Sequence, residues 1–189
     1  MPRLGLTTTS VVGQGAELAD EIGFAHVSVT TLARRLGIRT ASLYAHVQGN
    51  DDLRTRIALL ALQEMADRAD REVAGRAGVD ALMALGDVYR GYATEHPGRY
   101  DASRLPMDPS TAATSAGPRH AALARAVLRG YDLDEAQQVH AVRLLGSTFH
   151  GFVSLELAGG FAHSKPPSQE SWAAILSSLD LVLTSWSTA

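Results

Sequence analysis

The chain has 189 residues, of which 46% are hydrophobic and 20% charged, a composition typical of one or two folded domains. The absence of cysteine excludes disulfides and cysteine nucleophiles, and the net charge of −3 gives no reason of its own to expect a nucleic-acid partner. The longest apolar run, residues 57–62, is too short to cross a bilayer, and residues 1–10 lack the apolar core of a signal peptide. We therefore expect a cytoplasmic protein with no membrane partner.

Hydrophobic spacing predicts helices along nearly the whole chain, and no useful stretch alternates as a strand would. The expected fold class is therefore all-α. The first two predicted helices cover about 8–22 and 29–36, with Gly23 and Gly37 as stop signals and Ser28 as an N-cap.

The remaining helices follow the same hydrophobic spacing. Asn50 is the expected cap of a long helix, Pro97 is expected to end the next one, and Asp132 with Glu135 forms an expected capping box. The Ser-, Thr-, Ala- and Pro-rich stretch after residue 102 predicts a short helix and then a loose loop. The approximate helical ranges are 51–74, 79–96, part of 102–118, 118–130, 132–158 and 168–186.

Residues 28–47 have the size of a helix-turn-helix, in which the second helix can enter the major groove of DNA. The second helix is predicted over Thr40–Val47, with Leu43 and Val47 as its buried anchors. Small side chains admit the backbone to the groove, and hydroxyls and phenols reach phosphates or bases. On periodicity alone, an ordinary helical hairpin in a core is an equally good interpretation. The outward residues are Thr40, Ala41, Ser42, Tyr44 and His46.

The same segment resembles the DNA-binding domain of the TetR family of bacterial repressors, through the runs 32–38 (LARRLGI) and 43–47 (LYAHV), and the resemblance covers about residues 8–60. It implies that Tyr44 and His46 contact phosphates and that the helix beginning near Asn50 points its free amides at a phosphate. It also implies that residues 40–42 face base edges. The candidate DNA-binding residues are Thr30, Thr31, Arg39, Thr40, Ala41, Ser42, Tyr44, His46 and Asn50.

Four residues depart from the family pattern. Asn50 stands where lysine is common, the acidic Asp51 and Asp52 follow it, and Arg39 stands where a small capping residue is common. Fewer contacts to phosphate mean a modest non-specific affinity for DNA, so we expect weaker electrostatic binding but not its loss.

The resemblance implies a division into a helix-turn-helix DNA-binding domain, 1–56, and a helical effector-binding and dimerisation bundle, 57–189. Residues 149–159 (FHGFVSLELAG) also resemble a C-terminal subtype of the family named for a Trp-His-Gly motif, with Phe149 in place of the tryptophan.

Small residues form a stripe on each of the last two predicted helices. Such stripes let helices approach closely, as in the four-helix bundle of a dimer, although close packing within one subunit is an alternative. The candidate dimer residues are Ser147, Gly151, Ser154, Ala158, Ser171, Ala174, Ser178 and Ser185.

Aromatic side chains with a carboxylate and an imidazole predict an apolar pocket for a small-molecule effector, and core filling is the equally good alternative. The candidate ligand-binding residues are Met83, Tyr89, Tyr92, Phe149, His150, Phe152 and Glu156.

The predicted function is a ligand-responsive repressor that binds a palindromic DNA operator as a homodimer and is released by a small apolar molecule. No enzyme, cofactor or metal site is expected, because no catalytic motif occurs and His140 and His150 do not share a helix face. The alternative is a helical protein-interaction module that does not bind DNA.

Overall fold

The computed structural model describes residues 6–186, and in this range the chain forms helices and turns without a strand, as predicted. None of these helices is long and apolar enough to cross a membrane. Short 3₁₀ helices lie at Phe24–His26, Thr40–Ser42 and Arg129–Tyr131. The α-helices are α1 (Thr8–Ile22), α2 (Val29–Leu36), α3 (Asn50–Val73), α4 (Gly78–Glu95), α5 (Pro97–Ala102), α6 (Pro109–Thr114), α7 (Gly117–Leu128), α8 (Glu135–Leu157) and α9 (Ser168–Trp186).

The chain packs into two compact units. Of the described residues, the first unit contains 6–64 and Glu95–Ala116, and the second contains Met65–Thr94 and 117–186. Helix α3 contributes to both units. This division by packing differs from the functional division into 1–56 and 57–189, which stays a prediction.

The predicted caps of α1 and α2 are confirmed. Gly23 ends α1 with φ 85°, and Gly37 ends α2 in the left-handed conformation with φ 66°, which suits glycine because it has no Cβ. Ser28 accepts a hydrogen bond from the Thr31 N–H and donates its own N–H to the Thr31 hydroxyl. These local signals orient α2, whose Val29, Leu32 and Ala33 are buried in the core of the first unit.

Helix α5 packs closely against α1. The sequence predicted that Pro97 only ends the preceding helix, but Pro97 occupies the first turn of α5, where its missing N–H costs nothing. A Cβ built on Gly98 would lie 1.9 Å from the carbonyl oxygen of Ala19, so only glycine fits at this contact. The carboxylate of Asp20 accepts the Arg99 N–H at 2.9 Å and pairs with the Arg99 guanidinium at 3.0 Å.

We expect Gly98→Ala to lower the free energy of unfolding by roughly 1–3 kcal/mol, because α1 or α5 must move to relieve the clash with a backbone carbonyl. Urea denaturation followed by circular dichroism measures the change. Gly13→Ala is the matched control on α1, since a Cβ there has no neighbour within 4 Å. That control should gain stability, as alanine favours helix. Equal stabilities for the two variants would contradict the close approach of α5 to α1.

The second unit has its own core around Trp172 of α9, which includes Leu82 of α4, Leu128 of α7 and Leu145 of α8. The predicted capping box of α8 is displaced by two residues. Asp134, not Asp132, accepts the hydrogen bond from the N–H of the third helical residue, and α8 begins at Glu135. Asp132 instead adopts a left-handed turn with φ 44° at the end of the preceding 3₁₀ helix. The stretch 102–118 contains a short helix, α6, capped by Asp108, but the predicted order of helix and then loop is wrong, because the loop at residues 103–108 precedes α6 and α7 begins at Gly117.

Candidate nucleic-acid interface

The helix after the Gly37 turn is shorter and tighter than predicted. Instead of an α-helix over residues 40–47, the chain forms one 3₁₀ turn at Thr40–Ser42 and then a turn to residue 46. The N–H groups of Ser42 and Leu43 donate to carbonyls three residues earlier, at 2.9 and 3.0 Å, which is the 3₁₀ pattern. Gly49, with φ 127°, precedes α3 and ends the segment.

The predicted anchors of this segment are buried, and most of its candidate DNA contacts face solvent. Leu43 and Val47 belong to the core of the first unit. Tyr44 is 59% exposed, which is high for an aromatic residue in a folded domain. Among the other candidate contacts, Thr30, Arg39, Ala41 and Ser42 are exposed, whereas Thr40 and His46 are half-buried.

Two of the candidate residues have internal hydrogen bonds that the sequence did not reveal. The Thr31 hydroxyl accepts the Ser28 N–H at 2.8 Å as part of the α2 cap. The Asn50 Oδ1 accepts the Val29 N–H at 2.9 Å, so the first residue of α3 satisfies a free amide at the start of α2. Asn50 therefore links α2 to α3 across 21 residues of sequence. Spacing along the chain contains no signal for such a link.

Most arginines near this surface are held by internal partners. Arg35 bonds to Glu21 at 3.0 Å and to Glu17 at 3.3 Å, and its hydrogen bond holds the pKa of the Glu21 carboxyl below its ordinary value. Arg56 pairs with Asp52 at 2.8 Å, which neutralises one of the two acids that follow Asn50.

Arg54 is held in a different way. Its guanidinium donates to the carbonyl oxygens of Phe24 and Ala25 at 3.2 and 3.3 Å and lies 4.3 Å from the centroid of the Phe24 ring. This arginine ties α3 to the loop before α2 and is not available to a ligand.

The comparisons with known proteins agree with this geometry. A family model for the tetracyclin repressor-like C-terminal domain matches residues 82–179. The uncharacterized HTH-type transcriptional regulator Rv0681 of Mycobacterium tuberculosis is 37% identical over 158 residues, covering 82% of this chain and 72% of the relative. The chain belongs to the TetR family of transcriptional regulators.

A second curated relative and a solved structure are also similar to this chain. The uncharacterized HTH-type transcriptional regulator YobS of Bacillus subtilis is 30% identical over 154 residues, covering 82% of this chain and 81% of the relative. The solved structure of SCO7222, a TetR regulator from Streptomyces coelicolor, has the same fold, with a TM-score of 0.72 and 18% identity over 96% of this chain and 99% of that chain. TetR-family regulators bind DNA and act as dimers, and the prediction of a regulator rather than an enzyme is confirmed.

In this TetR-family chain, the candidate ligand aromatics belong to a packed core. Phe149, only 3% exposed, has its ring centroid 5.5 Å from that of Trp172 and 5.9 Å from that of Tyr89. Phe152 lies 5.0 Å from the ring of Trp172, and Tyr92 is also buried. The Tyr89 hydroxyl and the His120 Nδ1 are 2.7 Å apart in a hydrogen bond. The aromatic set is therefore continuous with the core of the second unit.

The polar members of the ligand set already have partners. The Arg90 guanidinium bonds to both oxygens of Glu156 at 2.7 and 2.8 Å and holds the pKa of that carboxyl below its ordinary value. His150 contacts the Ser154 hydroxyl one turn later, at 3.3 Å. Met83 instead lines a cleft of about 370 Å³ together with other α4 residues, with Arg68 and Glu72 of α3, and with Arg76 between the two helices.

The candidate dimer residues lie on accessible helix faces. On α8, Ser147 is exposed and Gly151 and Ser154 are half-buried, and Ala158, which directly follows the helix, is exposed. On α9, Ser171 is half-buried, whereas Ala174, Ser178 and Ser185 are exposed. Leu181 falls into the same α9 stripe, three residues after Ser178, and is 71% exposed. The sequence analysis missed this leucine because the stripe was sought among small residues.

Proposed function

We propose that this regulator is a repressor that binds a palindromic operator as a homodimer and is released by a small apolar molecule. The observation that carries the DNA-binding part is the exposed Tyr44 beside a 3₁₀ turn of small and hydroxyl-bearing residues, held to the core by Leu43 and Val47. A short, rigid surface of this kind fits the major groove and reaches the phosphates beside it.

The dimer follows from the accessible stripes of α8 and α9. Small residues permit close approach of helices from two copies, and Leu181 supplies apolar area that a second copy would cover. A two-fold dimer contacts two half-sites of opposite orientation, separated by one helical turn of DNA or slightly more. The expected operator is therefore palindromic.

The ligand response is proposed for the aromatic region around Phe149 and Tyr89. Binding there requires the packed rings to separate and admit an apolar or aromatic molecule, which Glu156 and His150 would then orient. To release the operator nearly completely, the molecule must favour the DNA-free state by roughly 3–5 kcal/mol.

The decisive experiment for DNA binding compares the natural chain with Tyr44→Ala. The protein first selects duplexes from a random-sequence pool, and fluorescence polarisation then measures affinity for a selected and an unselected duplex. We expect Tyr44→Ala to weaken binding to both duplexes by about tenfold or more, since hydrogen bonds to charged groups are worth roughly 1.5–3 kcal/mol and phosphates carry no base sequence.

Ser42→Ala is the matched control in the same turn, because Ser42 is exposed and is expected to face bases. It should alter which selected sequence binds best and leave affinity for the unselected duplex nearly unchanged. If Tyr44→Ala leaves both affinities unchanged, this turn is not the DNA-contacting segment. If the natural chain shows no salt-dependent affinity for any duplex, the protein-interaction module is the better interpretation.

A further inference from the structure

We propose that Arg34 contacts the DNA backbone and supplies, together with Arg39, the phosphate-binding charge that Asn50 does not. The inference rests on the proposed binding of duplex DNA, but it assigns a role to a residue that the sequence analysis left out of the interface.

The observation is a contrast between two adjacent arginines on α2. The Arg35 side chain is 25% exposed and is held by Glu17 and Glu21 of α1. Arg34 is exposed, and among the residues the structure describes it makes no ion pair and no side-chain hydrogen bond. Of two arginines one position apart, Arg35 is thus paired with carboxylates and Arg34 is not.

Most other arginines of the first unit are held by internal partners, as Arg35 is. Arg99 pairs with Asp20, and Arg104 lies 3.7 Å from Asp101. Arg54 and Arg56 have the internal partners described above. Within residues 6–64 and 95–116, the arginines without an ion pair or side-chain hydrogen bond are Arg34 and Arg39.

The position of Arg34 suits a contact beside the groove. It follows Thr30 by four residues, so the two side chains share one exposed face of α2. Thr30 is a candidate DNA contact, and Arg39 directly precedes the 3₁₀ turn that carries the others. The guanidinium group offers a planar pair of donors that matches a phosphate, and it stays charged at every relevant pH.

The first turn of α3 has no positively charged side chain for a phosphate, so such charge must come from other residues of this surface. The Asn50 Oδ1 is engaged by the Val29 N–H, and Asp51 beside it is an exposed acid. Arg35 holds both Glu17 and Glu21 on α1, and neither acid forms an ion pair with Arg34. Within residues 6–64 and 95–116, the arginines without an ion pair or side-chain hydrogen bond therefore lie at the end of α2 and just before the 3₁₀ turn.

The test is the salt dependence of binding to an unselected duplex, measured from 50 to 300 mM KCl for the natural chain, Arg34→Gln, Arg34→Lys and Arg35→Gln. Each neutralised phosphate contributes roughly 0.9 to the slope of log affinity against log salt. We expect Arg34→Gln to reduce the slope of the dimer by about 1.8, with an unchanged midpoint of thermal unfolding, and Arg34→Lys to restore most of the slope.

Arg35→Gln is the matched neighbour. It should keep the natural slope and lower the unfolding midpoint, because it leaves Glu17 and Glu21 facing each other without their cation. An unchanged slope in Arg34→Gln overturns the proposal while DNA binding itself stands. Equal slope losses in both variants, or a lowered midpoint in Arg34→Gln, also overturn it. A natural chain that binds no duplex overturns the proposed function as well.

Discussion

Phe149→Ala will lower the free energy of unfolding by about 3–5 kcal/mol, the usual cost of removing a fully buried phenylalanine ring. The ring is packed between Trp172 and Tyr89, and a Cβ on Gly86 of the neighbouring α4 would already lie 3.3 Å from its tip. Both walls resist collapse, because Trp172 is held by a 2.8 Å hydrogen bond to Asp87 and Tyr89 by a 2.7 Å hydrogen bond to His120. Urea denaturation at a fixed protein concentration, followed by tryptophan fluorescence, measures the loss.

Phe161→Ala is the control for this prediction, because that ring is half-buried and packs at the edge of the same cluster. It should cost clearly less. A loss below about 1 kcal/mol in Phe149→Ala would contradict the buried position of the ring.

The milder Phe149→Leu tests the ligand hypothesis without unfolding the core. Leucine fills much of the same space, so this variant should remain folded and bind DNA. If candidate apolar molecules release DNA from the natural chain but not from Phe149→Leu, the aromatic region is the effector site. A normal response in Phe149→Leu would assign Phe149 to core packing and move the effector site elsewhere.

Gly151→Leu will convert the dimer to a monomer at micromolar concentration and weaken operator binding by roughly 10²–10⁴-fold, the avidity lost when one half-site binds alone. Within the protomer, a Cβ at Gly151 has no neighbouring atom within 4 Å, so the first atom of a larger side chain meets no clash there. Its bulk would instead separate two copies that approach through the α8 and α9 stripes. Sedimentation velocity and polarisation measure the two effects.

The matched control is Gly13→Leu, a helical glycine in equally open surroundings but on α1. It should remain a dimer with natural operator affinity. Leu181→Glu provides a second variant on α9, where a buried charge would oppose the same interface. If both α8 and α9 variants stay dimeric, the stripes are not the contact between copies.

The sequence alone determined the features that depend on neighbours three or four positions away. Ser28 caps α2, and Gly23 and Gly37 end the first two helices where predicted. Burial of Leu43 and Val47 followed from their spacing, so the exposed position of Tyr44 could be predicted before the fold was known. These features can be predicted from the sequence because the hydrogen bonds and contacts that produce them join residues within about one helical turn.

Local signals were insufficient where two similar residues competed for one role. Asp132 and Asp134 each precede a plausible helix start, and the choice of Asp134 depends on burial of Leu133 between them and on the left-handed turn at Asp132. Propensity for capping is nearly the same for both aspartates. Packing therefore decided the start of α8.

Only the tertiary structure decided which polar side chains are free for a ligand. Arg34 and Arg35 are identical in type, but Arg35 finds Glu21 fourteen positions earlier in the sequence. Asn50 is bonded to the amide of Val29, 21 positions away, and Asp20 to that of Arg99, 79 positions away. A partner at such separation is selected by how helices pack, since many polar groups along the chain could form the same hydrogen bond and only the folded arrangement brings one of them within reach.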